Sequence, residues 1–146
     1  MTARLPATSL PPRAAPPPWR YELQADFTHQ SPHLAGIVFC NDWVLIEGGR
    51  MLIRGGYAWN GCDPALRLGG LWLGTPDGPL LADGWRQTGR ASLVHDVFCQ
   101  FKHEIPVTKA ATVALFADML RADGWPLWRL YAAAVARLGP QRFAGD

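Results

Sequence analysis

Two glycine pairs, Gly48-Gly49 and Gly55-Gly56, cut the stretch GIVFCNDWVLIEGGRMLIRGGYAW, residues 36 to 59, into short apolar, β-prone runs. Glycine takes positive φ without steric cost, so a pair of glycines between two such runs suits a tight hairpin turn. Connections this short make neighbouring strands antiparallel. Just upstream, Trp19, Tyr21, Leu23, Ala25 and Phe27 alternate with Arg20, Glu22, Gln24 and Asp26. That period of two predicts a half-buried strand, with two or three more strands after it.

Past residue 88 the period changes to that of helices. A first helix is expected from Thr88 to His103, burying Leu93, Val94, Val97, Phe98 and Phe101, with Pro106 as its stop. Thr108 is placed to cap a second helix whose stripe is Val113, Phe116, Ala117 and Leu120, ending near Asp123-Gly124. Pro126 stands near the first turn of a third, PLWRLYAAAVARLG, closed by Gly139-Pro140. Strands first and helices last predict an α+β fold, with a small antiparallel sheet of hairpins followed by three helices. Residues 60 to 89, with seven glycines, read as a long structured loop in which Leu71, Trp72, Leu73 and Trp85 supply the packing. Such a loop is either functional or held by its own side chains. Residues 1 to 18 hold six prolines, so they read as an extended linker or docking arm, leaving 19 to 146 as a single domain.

Composition narrows the functional classes. With 49% hydrophobic residues, seven tryptophans and a formal charge of +2, the chain can fill a core. It carries no basic run that would mark a nucleic-acid partner. The first residues make a poor signal peptide, and no apolar run is long enough to span a bilayer, so the expectation is a protein that is cytoplasmic when made. Cys40, Cys62 and Cys99 are odd in number and lack CxxC spacing, which predicts free, mostly buried thiols rather than disulfides.

The chemistry-bearing stretch is ASLVHDVFCQFKHEIP, residues 91 to 106. On a helix, His95, Cys99 and His103 share a face beside the apolar stripe, while Asp96 is turned one helical step from His95. The pair therefore serves different partners: His95 could activate water while Asp96 holds a cation with loop oxygens. Other readings stay open. His95, Cys99 and His103, with Cys62, could bind zinc. Cys99 could be a nucleophile paired with His95 and oriented by Asp63 or Asp77. In a structural role, His95 would bond a loop carbonyl, and Asp96 would cap or pair with Arg90 or a loop amide. Trp125, Trp128 and Tyr131 are core packing or a partner-binding patch.

The segments YAWNGCDP (57–64), ASLVHDVFC (91–99) and FADMLRADGWPLWRLYAAAVARLG (116–139) together resemble a small family of unknown function common in tailed phages and prophages. Its pattern is a Trp-Asp-Gly-Ala-Ser-x-Pro loop, a His-Asp-x-x-Tyr helix and two further helices. The resemblance spans roughly residues 35 to 139. The His-Asp-x-x-Tyr helix is in turn similar to that of phospholipase A2 enzymes, which implies His95 as general base and Asp96 as a calcium ligand beside carbonyls of Asn60, Gly61 and Cys62. This chain departs from that pattern. Cys99 stands where the tyrosine belongs, Asn60 and Asp63 replace the expected Asp and Ser, and Val113 occupies the place of the acid that would orient the imidazole. Asp118 lies about 140° further round the helix. The departures imply a non-catalytic binding or assembly module, virion-associated, whose partners are other phage structural proteins or a host-envelope component. Trp59, Asp63, Trp72 and Trp85 are its expected binding residues, and no cofactor is required. The alternative the resemblance implies is a calcium-dependent hydrolase of envelope esters.

Overall fold

The computed structural model describes residues 21–59, 67–68, 71–72 and 78–146. The proline-rich arm expected over 1 to 18 lies outside them. Eight short strands precede three helices: β1 (Tyr21–Glu22), β2 (Phe27–Gln30), β3 (Phe39–Cys40), β4 (Val44–Glu47), β5 (Arg50–Ile53), β6 (Ala58–Trp59), β7 (Arg67–Leu68), β8 (Leu71–Trp72), α1 (Gly89–Gln100), α2 (Lys109–Ala122) and α3 (Trp128–Leu138). The fold is α+β, with every strand pair antiparallel.

The Gly48-Gly49 pair makes the hairpin expected of it. Both glycines have positive φ, 59° and 77°, as a two-residue turn of the primed type requires. The turn sets Glu47 opposite Arg50 and Val44 opposite Ile53, and alternation then sends Val44, Ile46, Met51 and Ile53 inward. β2 and β3 flank this hairpin to give the order β2-β5-β4-β3. Gly55-Gly56 does a different job. Gly56, at φ 90°, helps turn the chain away from β5 so that β6 leaves the sheet and pairs with β1.

The expected strand over 19 to 27 is broken. Leu23 is buried and its amide donates to the Tyr57 carbonyl at 2.7 Å, after which Asp26 caps a bend by accepting from Gly55 N at 2.8 Å. The chain therefore divides into β1 and β2 in different sheets, and Ala25 is exposed instead of sharing the inner face. Residues 60 to 89 are not one loop either: they contain the β7–β8 pair and a bridge between Leu80 and Arg86.

The first helix is shorter than its periodicity implies, ending at Gln100 well before Pro106. Phe101 stays buried as the capping residue, and Ile105 and Val107 carry the core onward through the turn. Thr108 caps α2 as expected, its Oγ1 accepting from Ala111 N at 3.1 Å, and Gly124 leaves the helix at φ 76°. The third helix begins at Trp128, two residues after Pro126. One apolar cluster runs from Leu23 through the sheet and α1 to Phe143. Among the described residues no helix is long and apolar enough to cross a membrane. The thiols differ from expectation, since Cys40 is exposed and Cys99 only partly buried; Cys62 lies outside the described residues.

A Cβ added at Gly48 meets nothing within 4 Å, so the cost of a side chain there is purely conformational. Gly48→Ala should lower the free energy of unfolding by about 1–2 kcal/mol, while Gly48→Asn, tolerant of the left-handed region, should lose less. Urea unfolding of the two variants checks the order.

Candidate functional site

α1 is buried along most of its length, and its polar side chains find separate partners as the helix turns. His95 faces α2: its ring lies 5.0 Å from that of Phe116, and Cys99 Sγ is 3.6 Å from Nδ1. Asp96 faces the strands. Its Oδ2 accepts from the Tyr57 hydroxyl at 2.6 Å and from Gln100 Nε2 at 3.1 Å. The structural role expected for each is thus corrected. His95 touches a thiol and an aromatic ring instead of a loop carbonyl. Arg90, the partner expected for Asp96, instead pairs with Asp83 and Asp123.

Burial sets the protonation states. It lowers the His95 pKa from 6.5 to about 4, helped by the nearby Lys109 ammonium, and holds the imidazole neutral. Burial also raises the Asp96 carboxyl, against the opposing pull of the Tyr57 and Gln100 hydrogen bonds. Cys99 is pushed up to about 12 by burial and by the Asp96 charge. A thiol held protonated at that level is a poor nucleophile, which weighs against the Cys99-His95 pair. No carboxylate among the described residues bonds the His95 ring. Asp118 instead bonds His33 Nε2 at 2.9 Å, and Phe116 faces the ring from the helix on which Val113 was expected to do so. No three described His, Cys, Asp or Glu residues converge on a metal position, and His103 is exposed beyond the end of α1. Asn60, Gly61, Cys62, Asp63 and Asp77, together with the Trp72 side chain, lie outside the described residues.

A second arrangement sits at the other end of α1. Four aromatic rings form a row: Tyr21 to Trp59 at 5.4 Å, Trp59 to Trp85 at 6.1 Å and nearly parallel, and Trp85 to Phe27 at 5.4 Å. They line a cavity of about 490 Å³ to which Glu22, Asp26, Asp83 and Arg86 also contribute. The rings are held from behind. Trp59 Nε1 donates to Ser92 Oγ at 3.1 Å, Ser92 Oγ donates to the Gly89 carbonyl at 2.9 Å, and the Arg90 guanidinium lies 5.2 Å over the Trp85 ring. A Cβ at Gly89 would stand 3.2 Å from Trp85, so glycine there is what lets the indole approach the helix.

Of the residues expected to bind, the structure brings Trp59 and Trp85 together, and beside them Tyr21 and Phe27, which in the sequence read as ordinary inward positions of one strand. Tyr57 was missed as well, and only its place two residues before Trp59 hinted at a role. Of the C-terminal aromatic group, Trp125 and Tyr131 are buried against each other at 5.4 Å, which fits core packing. Trp128 is half-buried, with Arg121 and Arg129 stacked over it. No protein-family model, no curated protein and no solved structure matches the chain.

The His95 shift has a sign that can be tested. Its folded pKa is lowered, so the unfolded chain takes up a proton first as pH falls, and stability present above pH 6.5 is lost on the way to about pH 4. The loss should reach about 3 kcal/mol, and His95→Leu should shed most of that pH dependence. Asp96 has the opposite sign, because its folded pKa is raised above 3.8 and its charge costs stability as pH rises through the raised value. Asp96→Asn keeps an acceptor for the Tyr57 hydroxyl without the charge, so it should be more stable than wild type at pH 7 and lose that advantage below pH 3.8. Denaturant titrations across this pH range measure both.

Proposed function

We propose that this chain is a phage- or prophage-type binding module that grips an extended segment of another virion protein in its aromatic groove. The observation that carries the reading is the row of Tyr21, Trp59, Trp85 and Phe27 beside a cavity of about 490 Å³. A cavity of that size falls in the ~300–1,000 Å³ range of small recognition pockets. Aromatic rows of this kind suit polyproline-type segments, which are preformed, lack internal hydrogen bonds and present flat apolar rings. The rim favours protein over an anionic envelope polymer. With Asp83 paired to Arg90, Glu22 and Asp26 remain against Arg86 among the lining residues, a small acidic excess that favours a basic peptide over a phosphate-bearing surface. The virion setting rests on the resemblance of the loop, the His-Asp helix and the two helices that follow.

The His-Asp helix supports this reading from the other side. His95 has the lowered basicity of a desolvated imidazole and no described acid to orient it, and Asp96 already spends one oxygen on two donors. Both residues serve the packing of α1.

Tryptophan fluorescence provides the test. A synthetic proline-rich peptide carrying one arginine should quench or shift the emission saturably, and Trp85→Ala should weaken its Kd about tenfold. Preference for an anionic glycan or lipid over the peptide would overturn the protein-partner assignment. Calcium-dependent ester hydrolysis by the wild type, abolished in His95→Gln, would overturn the non-catalytic one.

A further inference from the structure

The groove lies where the chain enters the described fold. Tyr21, the first described residue, is also the first ring of the aromatic row, and twenty residues precede it. Those residues contain Pro6, Pro11, Pro12, Pro16, Pro17 and Pro18, with Arg4, Arg13 and Arg20 and no acid. The rim they would meet carries the exposed Glu22 together with Asp26, against Arg86, since Asp83 is paired with Arg90. Composition, charge and attachment point therefore coincide at one place.

We propose that the groove's resident occupant is this chain's own proline-rich segment, residues 10 to 18, docked in cis with Arg13 against the acidic rim. The inference rests on the groove being a recognition surface for proline-rich segments, and adds self-occupancy to it. At ~3.1 Å per residue in polyproline form, the segment is ample to cross the groove from its tether. A tether this short holds its occupant at an effective concentration in the millimolar range, so even a weak intrinsic fit leaves the groove filled. An outside partner must then displace the arm, which makes recognition a competition between two proline-rich segments for one row of rings. Binding is thereby held back until a better ligand or a high local density of partner is present.

The experiment uses the full chain. Trypsin cuts after Arg4 and after Arg13, and the ratio of the two rates reads protection of the second site against an internal reference. The Arg13-to-Arg4 ratio should rise about tenfold in Trp85→Ala and also in Glu22→Lys, whose side chain is exposed and outside the core. An unchanged ratio in both variants overturns the docking. A ratio that depends on protein concentration also overturns it as stated, because the arm is then exchanged between copies. A second measurement separates this inference from the binding reading beneath it. The full chain carrying Pro11→Ser, Pro12→Ser and Arg13→Ser should bind the added proline-rich peptide about tenfold more tightly than wild type. Equal affinity in the two overturns self-occupancy alone, and no affinity in either overturns the binding module as well.

Discussion

Everything in the described structure is arranged around a helix that is buried on nearly every side. Between Gly89 and Phe98 the apolar residues of α1 are fully covered, with Ala91, Leu93, Val97 and Phe98 at zero accessible surface and Val94 at 1%, while Arg90, His95 and Asp96 keep partial exposure. A helix with an apolar stripe needs one covering surface, but this one needs several, and the chain supplies α2 on one flank and the strands on the other. The polar residues of such a helix have little access to water, Ser92 least and His95 and Asp96 only part. Each must find a partner inside the protein or bear an uncompensated desolvation cost. Ser92, His95 and Asp96 are those residues: Cys99, the neighbour of His95, lies one turn along α1 itself, but Trp59 and Tyr57, the partners of Ser92 and Asp96, come from places that a pattern read along α1 alone would not connect.

That constraint bears on the uses a His-Asp helix can have. A general base in water chemistry needs an imidazole held in one tautomer by an acid and reachable by solvent and substrate. Here the imidazole lies against Phe116 and a thiol, and burial has stripped it of basicity. The carboxylate next to it is turned the other way and tied to Tyr57. The same bond holds the end of the chain's β-half against its helical half, since Tyr57 leads directly into β6 and Asp96 is in the middle of α1. In space the two residues of the motif, one helical step apart, meet different neighbours: His95 lies against Phe116 and Cys99, and Asp96 against Tyr57 and Gln100.

Elements whose signals are local could be read from the residues, because their causes are local. The Gly48-Gly49 hairpin, the Thr108 cap and the Gly124 exit each depend on φ preferences or on a side chain reaching its own backbone. The inward residues of α1 were legible too, since a 3.6-residue period marks a buried face whatever covers it. The break between β1 and β2 was not, because it depends on Leu23 bonding Tyr57 and Asp26 bonding Gly55, partners some thirty residues away. The end of the chain was equally opaque. Asp146 caps α2 by accepting from Lys109 N at 2.8 Å and also bonds Phe143 N, which holds its carboxyl below the usual range. Nothing in a terminal Ala-Gly-Asp announces a cap for a helix that begins 37 residues earlier. The aromatic row fell between these cases. Trp59 and Trp85 stand out by type, but Tyr21 and Phe27 join them only because the strand carrying them bends.

The bend and the buried helix together hold the rings of the groove in place. Rings on independent loops would have to be ordered on each binding event, at about 0.5–1.5 kcal/mol per side chain immobilised. Here Trp59 is fixed to α1 through Ser92, Ser92 is fixed to the Gly89 carbonyl, and Trp85 is pressed between the helix start and the Arg90 guanidinium, itself anchored by Asp83 and Asp123. Tyr21 and Phe27 sit on either side of the bend that Leu23 and Asp26 secure. The buried helix thus forms the back wall of the aromatic cavity, and the rings are already placed in the folded chain. The same packing makes the groove sensitive to its support: replacing Ser92 would move the Trp59 indole without touching the cavity lining, and a side chain at Gly89, which lines the cavity, would push on Trp85.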